Sequence, residues 1–296
     1  MKTIAEITNV QERFVAFIVE RENCRLAKEL DVVPHTEDPI LLVNRFCNVN
    51  REHDAVTLWV KEHVRDREDF DHDKMLSHLL VARVFNNPAS LQHVIPFTNL
   101  DTVQKKMEHL RATGHAAFRG AYMMVVHGKA GAGKSAVQFY CSLAKKLRLL
   151  GVGQAARLED VANLIISVNG LGQFMANQVV TDLRYTRFYP KELTPDWTTF
   201  IWPGPGTLRG IRRYHGANPV TGRKEGAPML NHKATPAMIL QLREDLKGKL
   251  PTAILEHFED PNNLSNCLCE FDKYERVLGT VPSGLDRKAT LRKYKA

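Results

Sequence analysis

Apolar positions recur at helical spacing along most of the chain. Phe14, Phe17, Ile18 and Leu26 share one helical face, and the pattern breaks between Pro34 and Pro39. Helical spacing resumes from Leu41 to Arg67, with Val56, Leu58, Trp59, Val60 and Val64 as its apolar positions. Leu76, Leu79, Leu80, Ala82 and Val84 form another face, stopped by Asn86-Asn87-Pro88. Val103–Leu110 predicts a short amphipathic helix ending before Gly114, and Ala121–His127 is the clear strand-like run of the first half. Ala136–Leu150, Leu158–Ile166 and Phe174–Leu183 are helical again. The C-terminal third is richer in Pro and Gly, with helices expected at Pro236–Leu246 and Asn262–Val277 before a basic tail from Asp286. The pattern predicts one mainly α domain over residues 1–296, in which residues 1–40 are a helical extension and 41–294 the core.

Composition narrows the function classes. Of 296 residues 44% are hydrophobic, enough for a sizeable core, yet no apolar run approaches the ~18 residues of a membrane span. The N-terminus shows no secretory signal, and five irregularly spaced cysteines suit a reducing compartment, so a cytoplasmic protein is expected. The net charge of +8 favours an anionic partner, nucleic acid first. Cys267-Leu268-Cys269 has no nearby His pair, and His53, His63, His72 and His78 read as solvated among charges; no metal site is expected.

Three segments carry candidate chemistry. Gly128 to Ser135 fits G-x-x-x-x-G-K-[ST], with Gly128, Gly133, Lys134 and Ser135 at the defining positions. Such a loop belongs on a parallel sheet, and the sequence offers no further buried strands to build one. Val168-Asn169-Gly170-Leu171-Gly172, between two helical stretches, fits a helix-hairpin-helix turn spanning 158–184. Gly170 and Gly172 allow positive φ and close approach to a phosphate, and the second helix offers it free amides. Trp202-Pro203-Gly204-Pro205-Gly206 predicts a rigid exposed turn, followed by Arg209, Arg212 and Arg213 as phosphate-binding candidates.

Five blocks, in order, resemble one family. They are Arg45 to Asp54, with Cys47 where Thr often stands; Gly120-Ala121-Tyr122-Met123; Gly170 to Ala176 with Gln178 and Asp182; Pro203 to Gly206 with Arg209-Gly210; and Cys269 to Tyr274. This is the alpha-glutamyl/putrescinyl-thymine pyrophosphorylase group, which includes phage amino acid:DNA transferases and the helical domain associated with 5-hydroxymethyluracil DNA kinases. The resemblance implies a helical fold related to helix-hairpin-helix DNA glycosylases. It also implies action on thymine in DNA, an amine replacing pyrophosphate on a 5-pyrophosphoryloxymethyl group.

That chemistry needs cations on the departing oxygens and a base for the amine. Arg45, Arg51, Arg209 and Lys273 suit the first task. Asp196, Asp54, Asp182 and Asp272 suit the second, with Glu270 beside them. Asp196 comes first, because it follows the hairpin about as far as the catalytic Asp of glycosylases with a similar fold. Asn48, Tyr122, Gly170, Gly172, Gln178, Gly204 and Gly206 complete the expected substrate- and DNA-binding set, and Phe46, Tyr122 or Trp197 are candidates to hold an extruded base. Cys47 is a weak nucleophile candidate, given the Thr common at its place. The expected function is therefore a transferase on double-stranded DNA carrying a modified thymine, with a free amino acid or amine as co-substrate. It needs no cofactor beyond an optional Mg²⁺, and in a phage setting it works in the host cytoplasm. The alternatives are an ATP-dependent 5-hydroxymethyluracil DNA kinase and a non-catalytic DNA-binding helical module.

Overall fold

A computed structural model describes residues 3–118, 125–126, 129–130, 134–148, 156–226, 229–231 and 233–279. The chain is mainly α-helical and forms two compact units, one from residues 1–54 with 201–296 and one from 55–200. Among the described residues no helix is long and apolar enough to cross a membrane.

The first unit opens with α1 (Val10–Glu29), capped by the Asn9 side chain, which accepts the Gln11 and Glu12 amides. Phe14, Phe17 and Ile18 are fully buried, whereas Leu26 is 44% exposed. The packed face continues instead through Arg21, Glu22 and Cys24. Next comes α2 (Pro39–Val43), with Pro39 in its first turn and Asp38 as its cap. The expected helix from Leu41 to Arg67 is broken by asparagines. Asn44 donates to the Ile40 carbonyl and Asn48 to the His53 carbonyl, both at 2.9 Å, while Asn50 accepts the Glu52 amide. Short amide side chains offer the backbone an alternative to helix. The result is an extended run closed by a 3-10 turn at Arg51–His53.

The second unit holds α3 (Ala55–Val60), which runs on into a π-turn at Lys61–Arg65, then α4 (His72–Phe85), α5 (Pro88–Leu91) and α6 (Leu100–Ala112). Two short strands, β1 (Val125–Val126) and β2 (Lys129–Ala130), pair antiparallel, and α7 (Lys134–Arg148), α8 (Leu158–Ser167) and α9 (Gln173–Leu183) follow. From Met75 to Phe85 every residue of α4 is buried, so it forms the centre of the unit, with α7 and α9 against it. The helix stops where Asn86 takes a left-handed conformation at φ 48°, just before the α5 proline.

The chain returns to the first unit with α10 (Pro205–Tyr214), α11 (Thr235–Asp245), α12 (Thr252–His257) and α13 (Pro261–Leu278). The Pro-Gly pairs do not make an exposed turn. Gly204 caps α10 and Pro205 is its first residue, a place where a missing N–H costs nothing. Gly206 and Gly210, one turn apart, lie against α13. A Cβ on Gly206 would collide with the Cys269 side chain, and one on Gly210 with the Leu268 carbonyl. The residues taken as an N-terminal extension supply the core: Phe14 packs edge-on to Tyr214 and Phe271, with centroids 5.5 and 5.0 Å away.

Candidate functional site

The first unit brings the first, fourth and fifth sequence blocks together. Asp54 follows the Arg51–His53 turn, and its Oδ1 accepts the Asn48 amide at 3.1 Å. Burial foremost raises the half-buried Asp54 carboxyl above its ordinary range, against the Asn48 amide and the charges of Arg51 and Arg21. On α13, Glu270 accepts Lys273 Nζ at 2.5 Å. Burial, the largest single influence, opposes the lysine's charge, but Glu270 together with Cys269 and Cys47 raises the ammonium above its usual range.

Arg21, on α1, faces the same surroundings. Its Nη2 donates to the Cys47 carbonyl, while Nε and Nη1 are buried without a hydrogen-bond partner among the described residues. Arg21, Phe46, Cys47 and Asn48 line a cavity of about 20 Å³, room for one water-sized group. Glu270 foremost, then burial and Asp54, push the Cys47 thiol well above its usual range, so it stays protonated and weakly nucleophilic. Sequence reasoning missed Arg21. Its signal is a cation at helical spacing from Phe14, Phe17 and Ile18.

Beside these residues Asp272, fully buried, gathers three arginines: Arg209 Nε and Arg213 Nε each at 2.8 Å, and Arg276 Nε at 3.4 Å. One carboxylate among three guanidinium groups leaves local positive charge and no room to act as a base. Arg213 is buried, and Arg212 binds the carbonyls of Pro219, Val220 and Leu230, so both act within the fold. Arg209 keeps 28% of its side chain exposed and, of the three, is the one placed to meet an anion. Lys273 is similarly half-exposed, Arg45 is exposed, and Arg51 is buried with its amide on Asn263 Oδ1.

In the second unit the remaining carboxylate candidates are committed to structure. Asp196 accepts the Leu158 amide on one oxygen and the Glu159 amide on the other, both at 2.9 Å, so it caps α8, whose own N-cap, Arg157, makes no capping bond. Buried Asp182 pairs at two points with buried Arg83, whose Nη2 also reaches Thr57 Oγ1 at 3.0 Å. Trp197 is buried with its indole N–H on the Arg184 carbonyl, so it offers no stacking face. The α8–α9 connection is a tight turn: the Leu171 amide meets the Val168 carbonyl at 3.0 Å, and Gly170 at φ +107° sits against Phe139. Gly170 and Gly172 are exposed, and Gln178 is half-buried on α9.

Tyr122, Gly128 and Gly133 lie outside the described residues. Lys134 and Ser135 begin α7. Within the G-x-x-x-x-G-K-S stretch, Lys129–Ala130 turns back antiparallel onto Val125–Val126, and no parallel sheet occurs among the described residues. Of the histidines expected to be solvated, His63 keeps a partly exposed ring stacked on Trp59 at 4.4 Å, while the other three are engaged within the fold. His78 is buried, stacked on Phe97 at 3.7 Å and accepting its amide; His72 binds the Tyr189 hydroxyl at 2.9 Å; and His53 lies edge-on to His257 at 5.5 Å.

The family model described as "5-hmdU DNA kinase, helical domain" matches residues 8–282. The chain belongs to this helical-domain family. No curated protein and no solved structure matches it. Membership ties the chain to a family concerned with the modification of thymine in DNA.

Proposed function

We propose that the chain is a transferase which replaces pyrophosphate on 5-pyrophosphoryloxymethyl-deoxyuridine in DNA with an amino acid or another amine. Asp54 carries this reading: a half-buried carboxylate fixed by the Asn48 amide, in the same unit as Arg21, Arg209 and Lys273. The amine nitrogen attacks the exocyclic methylene carbon. The C–O bond breaks with its electron pair going to pyrophosphate, and the new ammonium gives its proton to Asp54. Arg209 and Lys273 stabilise the departing oxygens. Exposed Arg45 holds the DNA near this turn, whereas the burial of Arg51 removes it from the expected DNA-binding set. In the other unit the exposed Gly170 and Gly172 lead into α9, which suits a backbone-phosphate contact that positions DNA without reading sequence. Likeness to the glycosylase helix-hairpin-helix is part of this proposal, as is action in the cytoplasm of a host cell.

The family match itself favours a second reading, a helical module serving 5-hydroxymethyluracil kinase chemistry, with ATP at Lys134 and Ser135 if the chain is itself the kinase. Two incubations separate the readings, with nucleosides analysed by mass spectrometry: pyrophosphorylated DNA with a panel of amines, and 5-hydroxymethyluracil DNA with ATP and Mg²⁺. An amine-bearing nucleoside with free pyrophosphate supports the transferase. Phosphorylation in the second incubation alone replaces it with the kinase.

A further inference from the structure

Glu22, His53 and His257 come from three elements of the first unit, α1, the 3-10 turn and the end of α12. Each offers one donor atom, and the three atoms lie within 4.8 Å of one another. His257 Nε2 is 3.7 Å from Glu22 Oε1. Two further observations point to a ligand. Glu22 Oε2 and His53 Nδ1 are buried, yet neither has a hydrogen-bond partner among the described residues. Buried polar atoms are rarely left so.

Arg25 is the competing cation. Its Nε and Nη2 both hold Glu22 Oε1, at 2.8 and 2.6 Å, and its Nη1 reaches Glu29. That leaves Oε2 buried without a hydrogen-bond partner among the described residues, free to take an ion. Two imidazole nitrogens and one carboxylate oxygen form the donor set that zinc prefers among common divalent ions. With metal–ligand bonds of about 2.0–2.2 Å, the donors need to close by roughly 1 Å, within reach of small side-chain rotations.

We propose that Glu22, His53 and His257 form a zinc site that ties the Arg51–Asp54 turn to α1 and α12. This inference is independent of the transferase reading, since it concerns ion binding alone. The ion takes His257 through Nε2, so the ring proton moves to Nδ1, where it faces Asn50 Nδ2 at 3.2 Å. Asn50 cannot offer its oxygen there without giving up the Glu52 amide. A carboxylate at this position serves both, and outer partners of this kind strengthen a metal-bound histidine.

The test is calorimetric titration of zinc into untagged, chelator-stripped full-length protein, with thermal melting of each variant in chelator to confirm folding. The expected result is one zinc per chain, binding at least ~10-fold more weakly in His53→Gln and in His257→Gln and more tightly in Asn50→Asp. Arg25→Met should also bind more tightly, because it removes the competing cation. Absence of stoichiometric zinc, or zinc bound equally well by both histidine variants, overturns the proposal.

Discussion

Asp196 accepts both the Leu158 and the Glu159 amides, and so caps a helix that begins 38 residues earlier in the chain. A carboxylate engaged on both oxygens is poorly placed to take a proton from an amine. Asp196→Ala should therefore lower stability by about 1–2 kcal/mol, the range for a lost cap, and leave turnover per folded molecule unchanged. Urea denaturation beside active-site-normalised rates decides the matter; a large rate loss at intact stability returns Asp196 to the chemistry.

The Arg83–Asp182 pair makes a second structural prediction. Asp182→Ala strands a buried guanidinium and should cost about 3–5 kcal/mol, whereas the double variant Arg83→Met/Asp182→Leu should recover most of it. A double variant no more stable than the single one contradicts a purely structural pair.

At the α10–α13 contact, Gly210→Ala places a methyl against the Leu268 carbonyl. The helices must part, with an expected loss of about 1–3 kcal/mol or more in the unfolding free energy. An unchanged melting temperature means that the helices are not packed so closely.

Arg209 combines an ion pair to Asp272 with partial exposure. Arg213 and Arg276 remain on Asp272 when it is removed, so Arg209→Ala should fold normally. It should weaken DNA binding or leaving-group stabilisation by about 1–3 kcal/mol, as for a lost charged hydrogen bond. Equal losses on plain and pyrophosphorylated DNA mark a backbone contact, and a selective loss marks the pyrophosphate. Binding should fall as salt rises, since each neutralised phosphate releases counterions.

Helices α6, α8, α9 and α13 were legible because apolar residues recur along them at helical spacing, and α4 because it is apolar along most of its length. The break after Val43 was not, since periodicity does not register that Asn44, Asn48 and Asn50 bind backbone. Nor was α10, whose Pro-Gly start reads as a turn until the packing of Gly206 and Gly210 on α13 is seen. For the site, the blocks around Asp54, Arg209 and Lys273 were visible, whereas Arg21, Glu22 and His257 were not. Their grouping depends on tertiary contacts between α1, the Arg51–His53 turn and α12. Asp196, Asp182 and Asp272 illustrate the converse: residue type alone does not distinguish a base from a cap or a buried ion-pair partner.

Pyrophosphate release by Asp54→Asn tests the account most directly. Wild-type protein, pyrophosphorylated DNA and a saturating amine are expected to yield amine-bearing nucleoside and pyrophosphate in equal amounts. The variant, which keeps an Oδ1 to accept the Asn48 amide and so should fold as wild type does, should bind the same DNA and release neither, with a rate loss of ~100-fold or more for an absent general base. Undiminished turnover in Asp54→Asn, or no turnover by the wild type on any amine, contradicts it.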